Sequence, residues 1–213
     1  MIRAYDKVYL EKARVTLARM LDFAVYDLGY GIEEFFNIFI NSGIATKFEK
    51  GDFQIIAGKS GVELAYEVTE IQGEDKREIK PRYTADRSEE YWTGWALAYF
   101  QWETGLSFSE IVKRIPIKDI KSLYNPYHEM DIRQFADKMR ELYRIAKPET
   151  NLKIIRTKLN LTQKELSDMS GVPLRTVQQY EQRRKNINKA QTEYLVMLSK
   201  ALSCKIEDLF EYV

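Results

Sequence analysis

Apolar side chains recur at helical spacing along most of this chain. Val8, Leu10, Val15, Leu17, Leu21, Val25 and Leu28 mark a first helix within residues 5–28, broken by Gly29 and Gly31. Glu33 to Ile40 reads as a second helix, dense in Phe35, Phe36 and Phe39 and closed by Asn41-Ser42-Gly43. A third short helix is expected from Ile44 to Lys50. Gly51-Asp52 forms a turn, and Phe53-Gln54-Ile55-Ile56 reads as a short strand or an apolar connector. Ser60 followed by Glu63 is a capping box that starts a helix to Ile71, since hydroxyl and carboxylate each take up a free N–H of the first turn.

Residues 72–90 are the most polar stretch, contain Pro81, and are expected to form a loop between subdomains. An aromatic helix follows, with Tyr91, Trp92, Trp95, Tyr99, Phe100 and Trp102. Aromatics at this spacing usually build a core, but the stripe covers more than one helix face, which points to partial burial against a partner. Further helices are expected from Ser107 to Ile115, from Pro116 to about Tyr124, and from Asp131 to about Ala146. Lys147-Pro148-Glu149-Thr150 is the expected junction, because Pro148 resists helix continuation and Thr150 or Asn151 can cap the next helix. The expected domains are 1–148, with a sub-boundary near 72–88, and 149–213.

The last 65 residues carry the densest set of agreeing signals. Leu152, Ile155, Leu159 and Leu161 set an apolar face. Thr162 with Glu165 is a second capping box, and Leu166 and Met169 are expected to face the core. Gly171 lies where a turn between helices needs a positive φ or a close approach, and Val172 plugs the core beneath it. A further helix starts at Pro173 or Leu174, with Val177 and Tyr180 inward. Leu174, Arg175, Thr176, Gln178 and Gln179 are left on its exposed side. Leu195, Leu198, Leu202, Ile206, Leu209 and Phe210 close the core with two more helices.

These residues carry a specific resemblance. Leu161-Thr162-Gln163, Leu166-Ser167, Ser170-Gly171-Val172, Tyr180-Glu181, Ala201-Leu202 and Ile206-Glu207-Asp208-Leu209-Phe210 resemble the five-helix DNA-binding domains of the phage Cro and cI repressors, the XRE family. The resemblance implies an all-α fold: an N-terminal helical region, then a lambda-repressor-like helix-turn-helix domain. It implies that Gln163 meets a phosphate at a helix N-terminus. Arg175, Thr176 and Gln179 would face base edges, with Leu174 beside them, and Gln178 would reach a base or a phosphate. Arg183, Arg184 and Lys185 would lie along the DNA backbone. Arg183 stands where the family often has Gly, which bears on how the helix ends. More weakly, residues 5–71, through Phe23-Ala24-Val25-Tyr26, Phe36, Ser42-Gly43-Ile44 and Gly58-Lys59-Ser60-Gly61-Val62-Glu63-Leu64, resemble DUF3791-type proteins encoded beside candidate ADP-ribosyltransferase-like toxins. The section from Ser88 to Leu142 resembles a region fused to such modules.

Charge supports the DNA reading. A net +1 conceals 22 Lys and Arg against 24 Asp and Glu in residues 1–148, and 11 against 8 in residues 149–213. Phosphate backbones select such a basic end. A composition of 45% hydrophobic and 31% charged residues suits a globular protein that needs no disulfide staples. The single Cys204 excludes an internal disulfide and fits a reducing compartment, where it is expected to be a small core residue. No apolar run approaches the ~20 residues of a membrane span, and the first 15 residues lack a secretory apolar region, so the cytoplasm is the expected compartment.

Two motifs tempt a catalytic reading and fail. Ala57-Gly58-Lys59-Ser60-Gly61 resembles the end of a P-loop, but the loop's first glycine would fall at Phe53. His128 is the only histidine and has no second His or Cys pair for a metal, nor a nucleophile motif. No catalytic residue, metal or cofactor is expected, and the chain does not read as an enzyme. The expected function is an antitoxin-like autorepressor: a homodimer on a palindromic operator in double-stranded DNA, whose N-terminal region dimerises or binds a toxin-like protein, without a membrane role. Two alternatives stand: a repressor sensing a small molecule in its N-terminal region, and a helix-turn-helix used only for protein contacts.

Overall fold

The computed structural model describes residues 3–82, 86–146 and 149–211, and these are helical with no strand. The chain divides into two compact units, Met1–Tyr143 and Arg144–Val213.

The first unit is built around α1 (Leu10–Tyr26). Its Ala13, Leu17, Ala18, Met20, Leu21 and Ala24 are fully buried. The small side chains among them let two helices approach closely. α2 (Ile32–Asn41), α3 (Ile44–Glu49) and α4 (Phe53–Ile56) precede the first of these, α5 (Gly61–Ile71), and the polar loop precedes the second, α6 (Glu89–Thr104). A Cβ on Gly61 would stand 2.4 Å from the α1 backbone at Met20 N and Thr16 O, and one on Gly94 would stand 2.7 Å from Leu17 O. Only glycine fits at either crossing. Gly61 therefore serves packing, and its neighbour Ser60 caps α5 through the expected box: Ser60 Oγ accepts from Glu63 N at 3.2 Å and Glu63 Oε2 accepts from Ser60 N at 2.7 Å. The P-loop-like string is a helix start.

α7 (Phe108–Arg114), α8 (Ile117–Ser122), α9 (Tyr124–Tyr127) and α10 (Ile132–Ala146) complete the series. Phe36, Phe39, Phe48 and Phe108 form one aromatic cluster with ring centroids 5.6–6.4 Å apart. Polar bonds tie α6 in place. Ser88 Oγ accepts from Tyr91 N at 2.9 Å and donates to Asp22 Oδ1 of α1 at 2.6 Å, while Lys121 donates to the buried Glu90 at 2.6 Å. Asp131 Oδ1 accepts from Arg133 N at 2.9 Å, the helix-start role expected of it.

Some sequence expectations need correcting. Phe53–Ile56 is a one-turn helix rather than a strand or connector, because Asp52 is its cap and accepts from Gln54 N at 3.0 Å. The helix expected from Pro116 to Tyr124 ends at Ser122, and a separate turn of helix, α9, comes next. Val8 precedes α1 and is 74% exposed. The polar loop ends at Ser88, the cap of α6.

The second unit holds α11 (Asn151–Lys158), α12 (Gln163–Ser170), α13 (Leu174–Glu181), a short 3-10 turn Ile187–Lys189, α14 (Thr192–Ala201) and α15 (Ile206–Leu209). Lys147 and Pro148 of the expected junction lie outside the described residues, while Thr150 caps α11, accepting from Lys153 N at 3.2 Å. Leu152, Leu166, Val172, Val177, Tyr180, Leu195, Leu198, Leu202 and Leu209 form the core. Leu159 and Met169, expected in it, are 47% and 59% exposed. On α12 the buried positions are Leu166 and Ser170, so Met169 lies beside the apolar stripe rather than on it. Leu159 already lies past the end of α11. Cys204 packs half-buried against the core, and burial raises its thiol pKa.

Candidate nucleic-acid interface

α12 and α13 are joined by a turn whose chemistry is local. Thr162 Oγ1 accepts from Glu165 N at 3.2 Å and Glu165 Oε2 accepts from Thr162 N at 2.7 Å. That backbone N–H holds the Glu165 carboxyl below the usual range. Gly171 ends α12 at φ +73°, a left-handed conformation that glycine adopts without steric cost. Ser167 Oγ donates to Val172 O at 2.7 Å, and Val172 is fully buried. Pro173 stands immediately before Leu174 with φ −54°, so α13 starts with its direction set.

α13 buries Val177, Tyr180 and Glu181. The opposite side presents Leu174, Arg175, Gln178 and Gln179, and with Gln182 and Arg184 these line one open concavity. Positions 174, 175, 178, 179 and 182 share a helical face by spacing alone. No carboxylate lines it. Among the described residues neither Arg175 nor Arg184 forms an ion pair. Gln182 was not among the sequence-assigned residues; its place four residues after Gln178 is the signal that could have found it.

The remaining assigned residues lie elsewhere. Thr176 is half-exposed on α13, and Lys185 is exposed, its backbone N donating to Gln179 O at 3.1 Å. Arg183 adopts φ +56°, so the backbone takes the left-handed conformation a glycine would supply, and Arg183 N donates to Tyr180 O at 3.0 Å. Its guanidinium is turned toward Glu211 at 3.7 Å and is 19% exposed. Gln163 does not extend freely from its helix: its Nε2 donates to Glu181 Oε2 at 2.7 Å.

That bond belongs to a buried network. Arg156 of α11 donates through Nε to Glu181 Oε1 at 2.6 Å and through Nη2 to Oε2 at 2.9 Å, and its Nη1 donates to Leu161 O. Arg156 and Glu181 are 7% and 8% exposed. The pairing raises the Arg156 pKa. One carboxylate at the end of α13 thus holds α11 and the first residue of α12, and so sets how the two helices of the motif meet.

The family model described as Helix-turn-helix (HTH_3) matches residues 152–209. The C-terminal unit is a helix-turn-helix domain. This supports a DNA-binding regulator of the XRE type. No curated protein and no solved structure matches the chain. Among the described residues no helix is long and apolar enough to cross a membrane, and no group of three His, Cys, Asp or Glu side chains could hold a metal ion.

Proposed function

We propose that this protein is a sequence-specific transcription regulator that lays α13 in the major groove of operator DNA. The observation that carries the proposal is the acid-free face of α13, where two unpaired guanidiniums flank glutamine side chains. Arg175 reads guanine through O6 and N7, and Gln179 reads adenine through N6 and N7. Thr176 and Leu174 contact base edges, and Gln178 and Gln182 reach a base or a phosphate. Arg184 and Lys185 follow the backbone. Gln163, its amide held by Glu181, offers its backbone N–H to a phosphate at the α12 N-terminus. Arg183 contributes to the fold of the loop more than to DNA. Two copies would address a palindrome with recognition helices ~34 Å apart.

In its fuller form the proposal is an antitoxin-like autorepressor in the cytoplasm, whose first unit dimerises or binds a toxin-like protein. A separate compact unit with its own core supports such an added role. The test is a titration against the DNA upstream of its own gene, at two salt concentrations, with random DNA as competitor. Selective binding is expected, with Arg175→Ala/Gln179→Ala losing roughly 1–3 kcal/mol of base discrimination per contact. Binding no tighter than to random DNA would overturn the proposal in favour of a protein-interaction module.

A further inference from the structure

The first unit carries a small aromatic cleft that the DNA reading does not use. Tyr91, Trp92 and Trp95 of α6, Tyr124 of α9, His128 and Arg87 line about 240 Å³. Its walls are held by one another and by residues outside the cleft. The Trp95 ring is covered by the Arg14 guanidinium at 3.3 Å, and its Nε1 donates to Glu11 Oε1 at 3.4 Å. Trp92 stands edge-on to Phe135 and Tyr124, at 5.2 and 5.6 Å. Tyr124 lies flat on His128 at 4.3 Å. His128 Nδ1 is 3.0 Å from Tyr124 O, a carbonyl that only accepts, so Nδ1 carries the proton and the ring is fixed. Rings held by such contacts make a pre-formed site for another flat ring.

The polar lining decides the class of ligand. Arg87 is exposed, stands 4.9 Å over the Tyr91 ring, and pairs with no described carboxylate. No carboxylate is part of the lining, and the one beside His128 Nε2, Glu129 at 3.6 Å, is exposed to solvent. An aromatic box for an ammonium needs the opposite balance. The volume lies below the range of drug-sized pockets, so one or two rings fit and a nucleotide does not. A single planar guanidinium matches one carboxylate through two parallel hydrogen bonds. We infer that this cleft binds a small planar aromatic carboxylate, its ring among Trp92, Trp95 and Tyr124 and its carboxylate on Arg87. The inference is independent of the DNA-binding proposal.

The test is calorimetric titration of the full chain with 2-naphthoate, 2-naphthamide and 2-naphthylmethylammonium, which share a ring system and differ in charge. Saturable binding of 2-naphthoate is expected, about tenfold or more tighter than either control. Arg87→Gln, at an exposed position, should remove that preference while leaving 2-naphthamide unchanged, and Tyr124→Leu should weaken both probes. Absence of saturable heat at millimolar 2-naphthoate overturns the inference. So does equal binding of the three probes, which points to docking of an apolar protein side chain, and so does a preference that survives Arg87→Gln.

Discussion

Glu181→Leu tests whether one buried carboxylate organises the helix-turn-helix. Glu181 accepts three hydrogen bonds, two from Arg156 and one from Gln163. Removing it leaves the Arg156 guanidinium almost fully buried, with Leu161 O as its one remaining hydrogen-bond partner. Breaking one side of such a pair costs about 3–5 kcal/mol, because a charge stays buried without its counter-charge. A domain of this size has a total stability of roughly 3–9 kcal/mol, so the single variant should unfold much of it at room temperature. Arg156→Met/Glu181→Leu removes both charges and keeps similar apolar bulk. It leaves only Leu161 O and the Gln163 amide short of a partner, each worth about 1 kcal/mol, so the double variant should be more stable than the single one. Glu141→Gln is the surface control, in the first unit: its ion pair with Lys138, 3.0 Å long and with Lys138 33% and Glu141 50% exposed, should be worth at most about 1 kcal/mol.

The assay can separate the two units. Trp92, Trp95 and Trp102 all lie in the first unit. Tryptophan fluorescence during urea unfolding therefore follows that unit, while far-ultraviolet circular dichroism follows both. Glu181→Leu should shift an early dichroism transition and leave the fluorescence transition in place. A cost below about 1 kcal/mol would refute the reasoning. A double variant as unstable as the single would refute it too, since the penalty would then not come from stranding a charge.

Gly94→Ala should destabilise the first unit by about 1–3 kcal/mol, read from the fluorescence midpoint, because the new methyl group meets α1 backbone at 2.7 Å. Arg184→Ala should lower the salt slope of DNA binding by about 0.9, the share of one phosphate contact, whereas Arg183→Gly should leave the slope unchanged, since Arg183 faces Glu211. In acid, the helix starts should loosen: Glu63, Glu110 and Glu165 titrate below 4.5 because backbone N–H groups donate to them, and Asp131 is lowered from 3.8 to about 2 by Arg133. These folded values lie below the unfolded ones, so the stabilisation is present above pH 4–5 and is lost as pH falls through the folded values; an Asp131 carboxyl midpoint at or above 3.8 by NMR would contradict this.

What could be read from sequence was local in origin. Capping boxes at Ser60 and Thr162 and the turn at Gly171 involve partners within three or four residues, and each forms as the spacing requires. Asp52 shows the limit of that reading: a Gly-Asp pair signals a turn, and only the folded chain shows the aspartate capping a helix. Met169 fails for a different reason. On an eight-residue helix, one position decides between the apolar stripe and solvent, and packing chose Ser170. The Arg156–Glu181 pair spans 25 residues and the aromatic cleft gathers α6, α9 and two loop residues. Neither leaves a periodic trace.

The same network bears on where DNA specificity resides. A glutamine at the start of α12 can use its amide on a phosphate, and Glu181 orients that amide by accepting one of its two N–H groups. Turning the amide away from Glu181 altogether would leave a buried carboxylate with one donor fewer, a loss of about 1.5–3 kcal/mol for a hydrogen bond to a charged group. The second N–H can meet a phosphate while the first stays on Glu181. In the proposed reading, contact at this end goes to a phosphate, through the backbone N–H or this amide, and carries no sequence information. Discrimination, on the same proposal, rests on α13, whose Arg175, Gln178, Gln179 and Gln182 side chains no described hydrogen bond or ion pair engages. Losing the Gln163 amide should thus cost the domain stability rather than selectivity, while losing Arg175 should cost selectivity rather than stability.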